Sequence, residues 1–438
     1  VSWGQYIHGG YRRNGHSLCF TAPDGGWIAQ QCDGGLLLPG NWSPVPCPQP
    51  PAHIPPVPKA EFPHPSEAMR YQRMPIEVES PEEAGYSTIA CNLAESSMSD
   101  RVLGHLGLDI DIGKTVLLYG DHRGHPAFRA LLAAEGGVAI DQVLLTPGAA
   151  GALFIAATSI LGPGDHLVVL RPNYATNIET PRAIGCDISF LDLSFEKGWQ
   201  YDAERIAAAM TPKTRLVSIT TPHNPTGTLL DREALGAIAR MVESRGAWLL
   251  VDETYRDLSA VSAAPFATAL GERVISVASL SKAYGLPGLR LGWLMTRDRA
   301  LNEKFLAAKE QILICGAVLD EEIGYRVYLR RSEELPRIAA EVAKGRATVR
   351  EWVQKEARME WVEPAGGVVC FPRIRSGSGV DVSRFYQLLT DEYKTWVGPG
   401  HWFEQDDRYM RIGFGWPKHQ ELAAGLSNVS VALGRSVK

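Results

Sequence analysis

The sequence predicts an α/β protein: a large, mostly parallel sheet flanked by helices, with a smaller α+β domain after it. Three observations predict this fold. From about residue 140 onward, short apolar runs alternate with amphipathic stretches, the pattern of parallel strands linked by covering helices. The chain has 438 residues, more than a single core usually organises, so two domains are expected. The residue clusters richest in chemistry fall where apolar runs end, the edge at which open α/β sheets bind ligands.

The elements follow in order. Residues 1–65 are rich in Gly, Pro and aromatic residues without helical or strand periodicity, and they end in a proline-dense stretch from Pro46 to Pro65, so they read as an extension or linker. Residues 142–146, 167–170, 188–193, 216–220, 248–252 and 274–279 are short apolar runs and are predicted strands. Residues 149–160, 203–210 and 232–244 lie between them with helical spacing. After Arg297 one long helical pattern runs toward Arg330 and another spans 333–357. Strand-like pieces at 359–362, 367–372 and 409–414, with helices at 382–391 and 420–433, complete the companion domain.

Composition narrows the function. A net charge of −5 gives no electrostatic reason to expect nucleic acid or an anionic membrane as partner, so small molecules are the default. No run approaches the ~18 consecutive apolar residues of a membrane span. The first residues are basic but lack the apolar stretch of a secretory signal. Seven cysteines, at 19, 32, 47, 91, 186, 315 and 370, contain no C-x-x-C pair, and their odd number leaves one unpaired. A reducing cytoplasm is therefore expected, and the sequons at Asn41 and Asn428 would matter only in a secreted protein. Cys19, Cys32 and Cys47 share the N-terminal segment, but three widely spaced thiols match no standard ligand pattern, so no metal is expected.

Five clusters carry chemistry. In the first, Ser279 to Trp293, Lys282 follows a β-branched run. A lysine attacks an aldehyde only as the free amine, activated by desolvation or a cationic neighbour. Ser279 and Ser281 can donate to phosphate oxygens, Arg290 can grip a phosphate bidentately, and Gly285, Gly288 and Gly292 allow close backbone approach. An ordinary exposed lysine in a Gly-rich loop is the competing explanation. The second cluster is the turn Thr146-Pro147-Gly148-Ala149-Ala150-Gly151, which leaves a strand and opens a helix. Its backbone amides, with a partial charge of roughly +0.5, suit a phosphate, although small residues there also serve tight packing.

The third is Thr221-Pro222-His223-Asn224-Pro225-Thr226-Gly227, a rigid loop in which the Asn224 amide can donate to a phenolate-like oxygen, or a plain turn. The fourth is Asp252, which ends the apolar run AWLLV, with Tyr255 three residues on. A buried Asp is costly unless it pairs with a cation; a pyridinium nitrogen would serve, and a structural role competes. The fifth is Arg411, in mid-strand among apolar residues. It needs an anion, either a substrate carboxylate or a protein carboxylate.

In this order and spacing, P-x-N-P-T-G, D-E-x-Y and S-x-S-K-x-x-x-x-x-G-x-R-x-G resemble the class I/II aminotransferases, the fold-type I enzymes that use pyridoxal 5′-phosphate, over about residues 85–435. The resemblance implies that Lys282 is the Schiff-base lysine and general base, Asp252 the partner of the pyridine nitrogen, and Asn224 and Tyr255 the partners of the cofactor's ring oxygen. It implies that Ser279, Ser281, Arg290 and the amides of Gly148, Ala149 and Ala150 hold the phosphate. Arg411 would hold the substrate α-carboxylate, with Asn224 beside it. Tyr174 falls where the family stacks an aromatic ring on the cofactor, and Tyr119 matches a tyrosine that reaches the phosphate from the neighbouring subunit, so a homodimer with shared sites is expected. Residues 66–100 would form an arm at the site entrance, 101–310 the large cofactor-binding domain and 311–438 the small domain.

The activity implied is transfer of an amino group between an amino acid and a 2-keto acid. One departure bears on it. Leu93-Ala94-Glu95 stands where many members have a glycine-rich entrance segment, and resembles the corresponding piece of aminocyclopropane-carboxylate synthases and alliinases, which perform elimination. Glu95 is accordingly a candidate substrate-binding residue, and β/γ-elimination or replacement is the alternative outcome. His122 and Arg123 are expected near the pocket and, with the extension, suggest a specialised substrate. A non-catalytic ligand-sensing homologue is the remote alternative, since residues 1–65 lack the helical periodicity of a DNA-reading helix.

Overall fold

A computed structural model of the chain describes residues 69–259 and 264–438, together with the backbone of three short strands that precede them. The chain divides into two compact units, Val1–Ala68 and Met69–Lys438. In the first, β1 (Cys19–Thr21), β2 (Trp27–Cys32) and β3 (Gly35–Leu37) form an antiparallel sheet, although the sequence shows no strand periodicity there. The longest of the three has only 6 residues, too few for alternation to stand out, and the Asp33-Gly34 dipeptide between β2 and β3 was the available hairpin signal. The side chains of Cys19, Cys32 and Cys47 lie outside the described residues.

The second unit begins with two short helices, α1 (Pro75–Val78) and α2 (Pro81–Ala84), and strand β4 (Cys91–Asn92). A seven-stranded sheet follows: β5 (Val143–Pro147), β6 (His166–Arg171), β7 (Asp187–Asp192), β8 (Thr214–Thr220), β9 (Trp248–Asp252), β10 (Val274–Ser279) and β11 (Leu291–Thr296). Its spatial order is β5-β11-β10-β9-β8-β6-β7. All neighbours are parallel except β11, which runs antiparallel to both β10 and β5. The C-terminal ends of β5, β8, β9 and β10 therefore meet the N-terminal end of β11 along one edge. Sequence patterning placed six of these strands and missed β11, because Arg290 and Gly292 interrupt its apolar run. Gly292 is required there: a Cβ would lie 2.5 Å from the carbonyl carbon of Gly148.

Helices α3 (Pro126–Gly136), α4 (Gly148–Ile160), α5 (Thr176–Ile184), α6 (Ala203–Ala209) and α7 (Arg232–Ser244) accompany the sheet. Strands buried on both faces read as continuous apolar runs, and successive residues part to opposite sides. Leu250 packs with Ile155 of α4, whereas Leu249 and Val251 join a separate cluster with Ile238 of α7. Asp231 caps α7 by accepting the Ala234 amide at 2.7 Å, satisfying a donor that the helix start leaves free. Beyond the sheet lie α8 (Arg299–Ile312), α9 (Val318–Leu329) and α10 (Arg331–Lys355). The single helix expected from Arg297 toward Arg330 is thus two. The break contains Gly316, where a Cβ would meet Glu321 Oε1 at 2.0 Å.

The remainder carries β12 (Met359–Glu360), β13 (Val369–Cys370), β14 (Arg373–Ile374), α11 (Val382–Gln387), β15 (Thr395–Trp396), β16 (Gly398–Pro399), β17 (Met410–Gly413) and α12 (His419–Arg435). Strand β17 is central in the sheet β13-β17-β16, and β15 pairs with β4, so the segment before the large sheet is stitched to the C-terminal region by backbone hydrogen bonds.

Candidate active site

The common strand edge forms the floor of a cavity of about 250 Å³. Lys282 stands three residues past β10, and its Nζ donates to Ser96 Oγ at 3.0 Å. Burial pulls its pKa below the usual lysine range, and Glu95 pushes back, so the neutral, nucleophilic amine is favoured. Asp252 ends β9, paired in register with Thr220 at the end of β8. Burial raises its pKa, while the Thr254 amide at 3.0 Å and hydroxyl at 2.6 Å oppose that shift. Asn177 lies close enough to favour the charged form of Asp252, yet its Nδ2 is not in bonding geometry. Among the described residues Asp252 forms no ion pair.

Tyr255 is buried, its Oη has no hydrogen-bond partner in bonding geometry among the described residues, and burial pushes its pKa up to about 12. Ser96 is near enough to ease that ionisation without a bond being formed. Asn224 accepts from Arg411 Nη1 at 3.3 Å, and Tyr174 lines the cavity beside Ala149 and Ala150.

A cationic corner suited to an anion sits at the start of α4. Gly148 has φ +72°, and a Cβ there would lie 2.6 Å from Arg290 Nη2, so only glycine lets the guanidinium approach the helix N-terminus this closely. Arg290 itself has φ 47° and donates from Nη1 to Pro287 O at 2.9 Å. Ser279, Ser281 and Arg290 line the cavity alongside Ala149 and Ala150.

Across from the floor, Arg411 in β17 is 5% exposed, and its Nη2 donates to Ala94 O at 2.6 Å. Its Nε has no partner among the described residues. Glu95 and Ser96 continue this wall, and α1 and α2 add Ile76, Pro81 and Glu82. Sequence reasoning missed Ser96, Glu82 and Trp402, which also line the cavity. The Pro75 and Pro81 helix starts were readable signals for α1 and α2, but nothing in the sequence placed them over Lys282.

Tyr119 is 78% exposed and does not line the cavity of its own chain, as a residue directed to a neighbouring subunit would be placed. One expectation differs from the structure. His122 and Arg123 are not pocket residues: His122 Nδ1 bonds Glu310 at 2.6 Å, and Arg123 binds Asn302 and Glu303 at 3.1 and 2.5 Å. Both are drawn to α8 because that helix presents carboxylates opposite them.

Residues 92–426 match the family model of the aminotransferases of class I and II. The chain belongs to the class I and II aminotransferases. Capreomycidine synthase of Streptomyces vinaceus is 32% identical over 321 residues, covering 72% of this chain and 80% of that relative. Arginine–pyruvate transaminase AruH of Pseudomonas aeruginosa is 33% identical over a shorter stretch, 40% of this chain and 47% of that one. A pyridoxal phosphate-dependent aminotransferase of Streptococcus suis superposes with a TM-score of 0.75 at 28% identity, covering 82% of this chain and 98% of its own. The pyridoxal phosphate-dependent cyclase OrfR superposes with a TM-score of 0.75 at 26% identity, covering 84% of this chain and 98% of its own.

This aminotransferase accordingly has the fold-type I architecture and depends on pyridoxal 5′-phosphate. Its residues fit that group on their own chemistry: a buried acid without an ion pair at Asp252, an orphaned phenol at Tyr255, and a glycine cradle that a Cβ at Gly148 would fill. No helix of the described residues is long and apolar enough to cross a membrane.

Proposed function

We propose that this aminotransferase moves the amino group of an amino acid to a 2-keto acid with Lys282 as the covalent and proton-transferring residue. When bound, pyridoxal phosphate supplies an electron sink that acidifies the substrate Cα–H. The observation that carries the reading is Lys282 itself, buried, its pKa depressed, beside Asp252 and opposite Arg411 in one cavity.

Each residue has a task. Asp252 would hold a proton on the pyridine nitrogen through charge. Asn224 and Tyr255 would donate toward the ring oxygen, and Tyr174 would supply an aromatic wall for the ring. Gly148, Ala149, Ala150, Ser279, Ser281 and Arg290 hold the phosphate through amides, hydroxyls and a guanidinium. Arg411 orients the substrate by its α-carboxylate, which places the Cα proton toward Lys282. Lys282 would take that proton at its Nζ, which Ser96 holds in place.

Two copies are proposed to share their sites. Residues 116–119 are apolar or aromatic and 60–78% exposed, a stretch suited to burial against a second copy that would bring Tyr119 to the partner's phosphate corner. A cytoplasmic location is proposed from the unpaired cysteines, of which Cys91, Cys186, Cys315 and Cys370 are free.

The test is to load the purified protein with pyridoxal phosphate, follow its visible absorbance as amino acids are added, and identify products by mass spectrometry. A keto acid plus aminated cofactor supports transamination. A second reading, elimination or cyclisation on the substrate side chain, is favoured by the similarity to capreomycidine synthase and to the cyclase OrfR. It predicts loss of water, ammonia or another side-chain group, with any keto acid accompanied by free ammonia and the cofactor left lysine-bound instead of aminated.

A further inference from the structure

We propose that Glu95 and Glu82 form a subsite for a cationic side chain, so that the amino acid taken by this enzyme ends in a guanidinium or ammonium group. The inference deepens the aminotransferase reading and rests on it.

Three consecutive residues bracket the position a substrate must occupy. Ala94 O accepts Arg411 Nη2 at 2.6 Å, Ser96 Oγ accepts Lys282 Nζ at 3.0 Å, and between them Glu95 lines the cavity. An α-carboxylate on Arg411 with its Cα toward Lys282 therefore has Glu95 as a neighbour. The segment cannot shift easily. Gly413 N donates to Leu93 O at 2.8 Å, and a Cβ on Gly413 would fall 1.7 Å from Glu95 O. The Glu95 carboxylate accepts the Tyr86 hydroxyl at 2.9 Å, and that ring stacks on Trp416 with centroids 5.9 Å apart.

Glu82 comes from α2 and lines the same cavity. Its neighbour Glu83 turns away to Arg73 at 2.8 Å. Among the described residues neither Glu82 nor Glu95 forms an ion pair. Burial and the Glu82 charge raise the Glu95 pKa, and Lys282 and Arg411 only partly offset this. Both cations are committed elsewhere, Lys282 to the cofactor and Arg411 to the α-carboxylate. Once Asp252 faces the ring nitrogen and Arg290 the phosphate, the charge left facing the substrate side chain is negative.

Arg411 and Tyr255 are 5% and 3% exposed, and among the described residues both keep an unpartnered polar atom, Nε and Oη, which an α-carboxylate and the cofactor would take up beside the two carboxylates. An acidic side chain would be repelled by the two carboxylates, and an apolar one would bury them without a partner. A planar guanidinium can bridge both.

The test uses the loaded enzyme with L-arginine, L-lysine, neutral L-citrulline, L-leucine and L-glutamate. Binding is read from the visible absorbance change and turnover from keto-acid formation. L-Arginine or L-lysine should half-saturate at least tenfold below L-citrulline, which matches arginine in shape without the charge. In E95Q and in the E82Q/E95Q double variant that ratio should fall toward one. Equal affinity for arginine and citrulline in the wild type would overturn the proposal without any variant, as it would if a cation from a second copy neutralised the pair. Retention of the ratio in E82Q/E95Q would also overturn it. Turnover of leucine or glutamate with none of arginine or lysine sinks this proposal and leaves transamination standing. No absorbance change with any amino acid sinks both.

Discussion

The floor of the site and its entrance arm are built in opposite ways. The floor takes Gly148, Thr220, Asp252, Ser279 and Arg290 from the ends of five strands, two pairs of which are held by continuous register, Thr220 with Asp252 and Ser279 with Gly292. Each position is fixed by core strands that are buried on both faces. The arm is made of α1 and α2, each of four residues, a cap at Ser80 that accepts the Glu83 amide at 3.4 Å, and the two-residue strand β4. Helices this short have no stability of their own and depend on where the C-terminal region holds them. The difference teaches that chemistry and substrate choice are carried by regions of unequal rigidity, and substitutions in the two should fail differently.

The largest expected effect tests the floor. Lys282→Ala should lower keto-acid formation by about 10⁴-fold or more and abolish the visible absorbance of lysine-bound cofactor, while the unfolding midpoint changes little. An Ala protein that still turned over normally would break the assignment. Asp252→Asn should retain lysine-bound cofactor yet lose about 10²- to 10³-fold in turnover, because a neutral amide no longer favours the protonated ring. Similar turnover in both proteins would place the electron-sink role elsewhere.

Packing separates the regions next. Gly292→Ala, whose Cβ would lie 2.5 Å from Gly148 backbone, should cost about 1–3 kcal/mol by overpacking and weaken cofactor retention together with thermal stability. Glu82→Gln on the arm should stay within about 0.5 kcal/mol. Equal destabilisation by the two would erase the contrast drawn above.

The smallest effect concerns the arm's attachment. His401 bonds Glu79 at 2.7 Å and Asp407 at 2.8 Å, and Trp402 Nε1 also donates to Glu79 at 2.7 Å. Burial disfavours the His401 charge, but the two carboxylates outweigh it and raise its pKa above 6.5. A raised histidine pKa contributes stability fully below the unfolded value, and that contribution is lost as pH rises through the folded value. Amide protection in α1, corrected for base-catalysed intrinsic exchange, should therefore fall modestly from pH 6 toward 8, by an amount matching ~0.5 kcal/mol for a half-exposed pair, and His401→Gln should remove the pH dependence of that protection.

Much of the floor was legible from the chain because its signals are local. An apolar run ending in a polar residue marks a strand and its ligand-facing end together, as at Asp252 and Ser279. Strand β11 escaped because Gly292 answers a contact with Gly148, which lies 144 positions earlier in sequence. The arm was legible only through resemblance, which placed residues 66–100 at the entrance and singled out Glu95 but not Ser96 or Glu82. Ser96 and Glu82 reach Lys282 through pairing of β4 with β15 and packing against β17, contacts between segments hundreds of residues apart.

By itself, then, the sequence determined the alternating α/β framework, the identity of the lysine, acid, amide and arginine groups, and the strand ends that carry them, because periodicity and local turn chemistry are short-range properties. Only the tertiary structure decided that Glu95 lies between the Arg411 and Lys282 contacts and that His122 and Arg123 serve α8. Those outcomes depend on which distant surfaces the fold brings together, and no local pattern in the chain encodes them.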